Sequence, residues 1–160
     1  MTNKTGWTAG RLFSDLAWHA GFGSEANGLV NGNSVLSSVI FNNDSGLDQV
    51  VDVSFVGAIT SSTLVAGSGV SLWLAMLAGD GTTYGDGQFT TTPAALTPPW
   101  FAFAFFPFRI GAAITSLVGS QPLLAVPPGK FKLIVQNNLQ SPTLTAAQVY
   151  LRSYDQDLNA

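Results

Sequence analysis

Apolar and polar residues alternate over long stretches of this chain, and the period predicts strands. From Gln49 to Ile59, Val51, Val53, Phe55, Gly57 and Ile59 share one parity, while Val50, Asp52, Ser54, Val56 and Ala58 share the other. Successive side chains of a strand point to opposite faces, so this run predicts a half-buried strand with one greasier side. Val35 to Phe41 predicts an earlier strand, after the turn-like Asn31-Gly32-Asn33. Gly69 to Ala78, GVSLWLAMLA, is apolar enough on both parities to lie in the middle of a sheet. Shorter strands are predicted at Gln88–Thr92, Trp100–Phe106, Ala112–Val118 and Leu123–Val126.

The C-terminal third predicts a hairpin. Pro127-Pro128-Gly129 sets a turn, because proline fixes φ and glycine supplies the positive φ of a type II turn. Phe131, Leu133 and Val135 then oppose Lys130, Lys132 and Gln136. A loop with Ser141-Pro142 leads to residues 147–155, where Val149 and Leu151 oppose Tyr150, Arg152 and Tyr154. Strands at this spacing predict an all-β sandwich or barrel. Only the N-terminal segment departs from the pattern. Leu12, Phe13, Leu16, Ala17 and Ala20 recur with helical spacing between Ala9 and Ala20, which predicts one short amphipathic helix ended by Gly21. The other reading is that Met1 to Gly10 is an extended arm lying on a neighbour. No repeat or composition break marks a second domain, so residues 1–20 are read as arm or short helix and 21–160 as one sandwich domain.

Composition sharpens this picture. Only 9% of residues are charged, against a usual quarter, while 46% are hydrophobic and the mean hydropathy is +0.30. Two readings fit: permanent assembly that buries apolar surface, or a free sandwich with Ser, Thr, Asn and Gln on its outer faces. Net charge is −3 with six Lys and Arg and no basic run, which argues against a nucleic-acid groove. The first residues lack the apolar core of a signal peptide. Phe101–Val118 is apolar but holds Pro107 and Arg109, so a buried strand pair is expected there rather than a membrane span.

Candidate chemistry is thin. There is one histidine, His19, no cysteine and no nucleophile elbow, so triad and thiolate chemistry lack their parts. The Asp residues cluster in loops, where turn geometry alone accounts for them, while Asp52 alternates onto the less apolar face of its strand. GDGTTYGDG, residues 79–87, fails the EF-hand pattern: counting from Asp80, positions three, five and twelve are Thr82, Tyr84 and Thr91. It lacks the lysine of a phosphate loop. Weak Ca²⁺ binding through Asp80 and Asp86 stays open beside the structural reading, and no cofactor is expected. Trp73, mid-strand among leucines, is read as core. Trp7 and Trp100 border irregular segments and are read as interface anchors.

GRLFSDLAW (10–18), NSVLSSVIFNNDSGLDQVVDVS (33–54), GDGTTYGDG (79–87) and VPPGKFKLIVQNN…VYLRSY (126–154) together resemble small structural proteins of tailed-phage virions. The resemblance is to head decoration or cement proteins. It implies a single antiparallel β-sandwich, jelly-roll-like, carried in many copies on an icosahedral shell. It implies a major capsid protein and further copies of the chain as partners, a virion location after synthesis in the host cytoplasm, and no enzymatic activity. No nucleic acid or membrane partner is expected. The candidate interface residues, chosen for apolarity and irregular context, are Trp7, Arg11, Phe13, Trp18, Tyr84, Trp100, Phe101 and Phe103. The alternative is a tail-fibre or baseplate module that binds carbohydrate or a receptor, using the loops at 42–48 and 79–88.

Overall fold

The computed structural model describes residues 6–9, 17–44, 48–109 and 114–157. Among the described residues ten strands run in chain order: β1 (Gly6–Ala9), β2 (His19–Ala20), β3 (Ser34–Leu36), β4 (Phe41–Asn43) and β5 (Val50–Ser62). Then come β6 (Gly69–Met76), β7 (Ala104–Pro107), β8 (Ile114–Ala125), β9 (Gly129–Asn138) and β10 (Leu144–Asp157). No helix occurs among the described residues.

The strands form two antiparallel sheets. Sheet A has the order β1-β10-β5-β8, with β2 also on β10; sheet B has the order β3-β9-β6-β7, with β4 also on β9. The predicted face of β5 is the buried one: Val51, Val53 and Phe55 are fully enclosed. Val149 and Leu151 of β10 join them from the same sheet. Phe131, Leu133 and Val135 of β9, with Val70 and Leu72 of β6, meet them from sheet B in one continuous core. The Phe55 and Phe106 rings, from the two sheets, lie 5.9 Å apart.

Several predicted boundaries differ, each for a local reason. The C-terminal hairpin is absent, because β9 belongs to sheet B while β8 and β10 belong to sheet A. A hairpin would have put the apolar faces of β9 and β10 side by side; placing them in different sheets lets the two faces bury each other. The Val35–Phe41 strand is broken into β3 and β4 at Ser37. Its hydroxyl accepts the Leu133 N–H at 3.1 Å and donates to the Val39 carbonyl at 2.9 Å, replacing a ladder bond. Gln88–Thr92 is not a strand, since the Thr90 hydroxyl holds the Thr92 N–H in a local turn. Trp100–Phe106 contracts to β7.

The two strands expected at Ala112–Val118 and Leu123–Val126 are one strand, β8, with a bulge at Pro122-Leu123. Leu123 has φ of 54° and donates its N–H to Asp52 at 2.9 Å. Two residues there oppose Asp52 alone, since Gln121 pairs with Val53 and Leu124 with Val51. Proline is tolerated because β8 ends the strand order of sheet A. At the N-terminus, Ala9 and His19–Ala20 are strand, and β1 and β2 both pair with this chain's own β10. The middle of the predicted helix, residues 10–16, lies outside the described residues.

Candidate assembly surfaces

Sheet B is apolar on both faces, so its outer side must be covered as well. The cover is the segment between β6 and β7. Trp73, Ala75, Ile134 and Leu36 point away from the main core and pack with Phe89 into a second cluster, half-covered by Tyr84 and Trp100. Two indole bonds fasten this cover. Trp73 Nε1 donates to the Trp100 carbonyl at 3.1 Å, and Trp100 Nε1 donates to the Leu74 carbonyl at 3.1 Å. The Phe89 and Trp100 rings meet edge to face at 6.1 Å. Lys132 Nζ stands 4.9 Å from the centre of the Tyr84 ring.

GDGTTYGDG extends β6 into a small hairpin. Leu77 bridges Tyr84, the Ala78 N–H donates to the Thr83 carbonyl at 2.7 Å, and the Gly85 N–H donates to the Met76 carbonyl at 2.9 Å. Asp80 shapes the tip. Its carboxylate accepts the Thr83 hydroxyl and the backbone N–H groups of Thr83 and Thr82. These donors hold its pKa down at about 2. Asp86 accepts the Gln88 N–H at 3.0 Å. Gly81 and Gly87, at φ of 73° and 76°, supply the left-handed backbone that the two Asp-Gly steps need. The Asp80 oxygens are thus engaged by the loop itself, and among the described residues no three acidic or histidine side chains gather to hold a metal ion.

Beside this hairpin lies an open groove of about 450 Å³. Leu74, Met76, Leu77, Ala78, Pro99 and Trp100 give it an apolar lining, with Asp86 contributing one carboxylate. The next residue after Trp100 is Phe101, which is 98% exposed. It is nevertheless held between fixed points: Trp100 is bonded on both its indole and its carbonyl, and the Phe103 N–H donates to the Leu72 carbonyl at 2.7 Å.

The outer face of sheet A is different. No segment folds over it among the described residues; a polar staple crosses it instead. Asp52 of β5 lies opposite Arg152 of β10. Its Oδ2 accepts Arg152 Nη2 at 2.9 Å and the Tyr154 hydroxyl at 2.8 Å, while Oδ1 accepts the Leu123 N–H of the β8 bulge. One carboxylate therefore ties three strands. Burial works to raise the Asp52 pKa, but the bonds from Arg152, Leu123 and Tyr154 together outweigh it and hold the group below its ordinary value. Tyr154 is shifted up, first by burial and then by its bond to Asp52. The Arg152 guanidinium sits 4.6 Å from the Trp18 ring centre and pins that ring on the sheet. Around the staple, Trp18, Val56 and Val118 are exposed at 41%, 41% and 66%. Val56 and Tyr150 line two adjoining hollows, one closed by Trp18 and the other by Gln148 and Asn27.

The predicted interface residues separate accordingly. Trp18 and Phe101 are exposed on the two surfaces. Tyr84 and Trp100 are half-buried in the cover of sheet B, where Trp100 lines the groove. Phe103 packs against the main core. Trp7 lies in β1, its backbone paired with Gln156. Arg11 and Phe13 lie outside the described residues. In the 42–48 loop, which the alternative reading uses for binding, Asn43 and Asp48 are buried: Asn43 Nδ2 donates to the Asp48 carbonyl and the Asp48 N–H donates to Asn43 Oδ1. Sequence reasoning missed the groove and the Asp52 staple. The signal for the staple was present, since Asp52 and Arg152 both sit on the polar parity of their strands, but the register that opposes them is a tertiary fact. No family model, no curated protein and no solved structure matches the chain.

Proposed function

We propose that this chain is a non-enzymatic virion structural protein that decorates or cements a phage capsid by clamping neighbouring major capsid subunits. The observation that carries the reading is the outer face of sheet A. Trp18, Val56 and Val118 stand exposed there on strands cross-tied by Asp52, and the ring of Trp18 is held by Arg152. An aromatic anchor fixed before contact loses little freedom on binding, which suits an interface made once and kept. The low charge of the chain agrees with this use.

The strand order supports a jelly-roll reading. If β1 with β2, and β3 with β4, each count as one interrupted strand, the two sheets contain four strands apiece. The chain then changes sheet at nearly every connection, as in the eight-stranded double-sheet jelly roll found in viral capsid proteins. The resemblance of the sequence segments to phage decoration proteins points the same way.

Co-sedimentation with shells of the major capsid protein tests the role. The wild-type chain is expected to bind to a saturating, fixed ratio. Val118→Asp and Trp18→Ala are each expected to weaken binding about tenfold or more. Absence of co-sedimentation, or binding indifferent to both substitutions, rejects the proposal. A carbohydrate- or receptor-binding module of a tail fibre or baseplate is the second reading. It is favoured by one feature, the groove lined by both Trp100 and Asp86. Glycan binding abolished by Trp100→Ala would select it.

A further inference from the structure

We propose that Leu123 is a second anchor of the sheet A surface, set opposite Trp18 across the Asp52 staple. The inference rests on the proposed assembly role and deepens it, by naming a contact residue and the character of the capsid surface it meets. Leu123 has φ of 54°. A Cβ in that left-handed region is crowded by the backbone, so glycine is the usual occupant. The chain follows this rule elsewhere: among the described residues seven glycines hold positive φ, and Gln140 is the one exception besides Leu123. Gln140 is explained by the fold. Its N–H donates to Asn31 Oδ1 at 2.8 Å, and its Nε2 donates to the Ala66 carbonyl at 3.1 Å. Leu123 is not explained in that way. Its N–H donates to Asp52 Oδ1 at 2.9 Å, a bond that glycine would make equally well. Leu123 is 51% exposed and packs with neither hydrophobic cluster. A leucine here strains the backbone and leaves apolar surface in water, and the fold gains nothing from its side chain. Strained backbone of this kind collects at functional sites.

The place of Leu123 in the sheet fits this use. β10, β5 and β8 lie side by side, with β2 on the far side of β10. Asp52 sits on β5, in the middle. Trp18 is held beside β2 by the Arg152 guanidinium, and Leu123 is held on β8 by its own N–H. Three strand spacings of about 4.8 Å put the two backbones roughly 15 Å apart. One carboxylate serves both residues: Oδ1 fixes the Leu123 backbone, and Oδ2 fixes the guanidinium beside the Trp18 ring. Both anchors are therefore ordered before contact, and little freedom is lost on docking. Between them the charges of Asp52 and Arg152 are paired at 2.9 Å. The surface offered to the capsid subunit is apolar at two points and has its charges matched between them. The complementary surface needs two apolar recesses and no countercharge.

Leu123→Gly separates contact from fold, because it relieves the backbone and removes the side chain. On the isolated chain its urea midpoint is expected to equal or exceed that of the wild type. Its co-sedimentation with shells of the major capsid protein is expected to weaken about fivefold or more. Leu123→Asn, which also tolerates left-handed backbone, is expected to behave like Leu123→Gly. Leu123→Met keeps an apolar side chain and is expected to bind within about twofold of the wild type. Combining Leu123→Gly with Trp18→Ala is expected to multiply the two losses, since the sites are far enough apart to act independently. A Leu123→Gly chain that binds shells like the wild type, while Trp18→Ala binds weakly, overturns the inference and leaves the assembly role standing. Lowered midpoints for both Leu123→Gly and Leu123→Asn overturn it too, because the side chain then serves the fold. A wild type that does not bind shells removes the assembly role and this inference with it.

Discussion

The outer faces of the two sheets meet one problem in two ways. Sheet B carries Trp73, Ala75 and Ile134 on its outer side, and the chain covers them with its own β6–β7 segment, making a second small core. Sheet A carries Val56, Val118 and Trp18 on its outer side and leaves them exposed around a carboxylate staple. The difference separates folding from function. A face closed by the chain itself contributes to stability. A face braced but left uncovered contributes little and is free to be used by a partner.

Substitutions on the two faces should therefore diverge. Trp73→Ala removes the centre of the second core and the indole bond to the Trp100 carbonyl, leaving the Trp100–Leu74 bond alone to fasten the cover. A loss of about 3–5 kcal/mol is expected in urea unfolding, with the segment 77–103 becoming sensitive to limited proteolysis in the native state. Unchanged stability would mean that the cover is decorative. Gly69→Ala tests the join between β6 and β7. A methyl there would meet the Phe105 ring and stand 2.7 Å from the Phe106 carbonyl oxygen, so a loss of about 1–3 kcal/mol is expected.

Asp52→Asn should cost about 1–2 kcal/mol, because a partly exposed charged hydrogen-bond centre loses its charge while keeping its shape. Its pH signature is more specific than its size. The Asp52 pKa is depressed in the folded state, so the stability it contributes is present at neutral pH and is lost as pH falls through the depressed value. The Tyr154 pKa is raised, so its contribution is lost as pH rises through the raised value. Chemical denaturation across pH should show the wild type losing this stability on the acid side and Asp52→Asn losing less. Parallel acid profiles would remove the staple from the account. Val118→Asp is expected to change stability by no more than about 0.5 kcal/mol while weakening shell binding about tenfold or more, the smallest folding effect beside a large functional one.

The fold was legible where one face of a strand is greasy and the other is not. β5 and β10 announce their buried faces by period two, and the doubly apolar β6 announces its central place. What was not legible depends on register and on side chains competing with the backbone. Nothing local says that Ser37 will take the Leu133 N–H, or that Pro122 starts a bulge rather than ending a strand. Gly129 has the predicted positive φ, 106°, but Pro127 leads into a bend at Pro128 that runs straight into β9, and whether such a bend returns the chain within a sheet or across the core is decided by where the apolar faces meet. The same limit governs the candidate surfaces. Phe101 and Trp18 were chosen from apolarity in irregular context and are exposed. Phe103, chosen on the same ground, is spent on the core, because only the packing of β7 distinguishes it from its neighbour two residues earlier.

The proposed role is tested most directly by the copy number of this chain in purified phage particles, by quantitative mass spectrometry against the major capsid protein. The account predicts a ratio fixed by the symmetry of the shell, about one copy per major capsid subunit. A chain missing from the particle, or present in only a handful of copies, would contradict it.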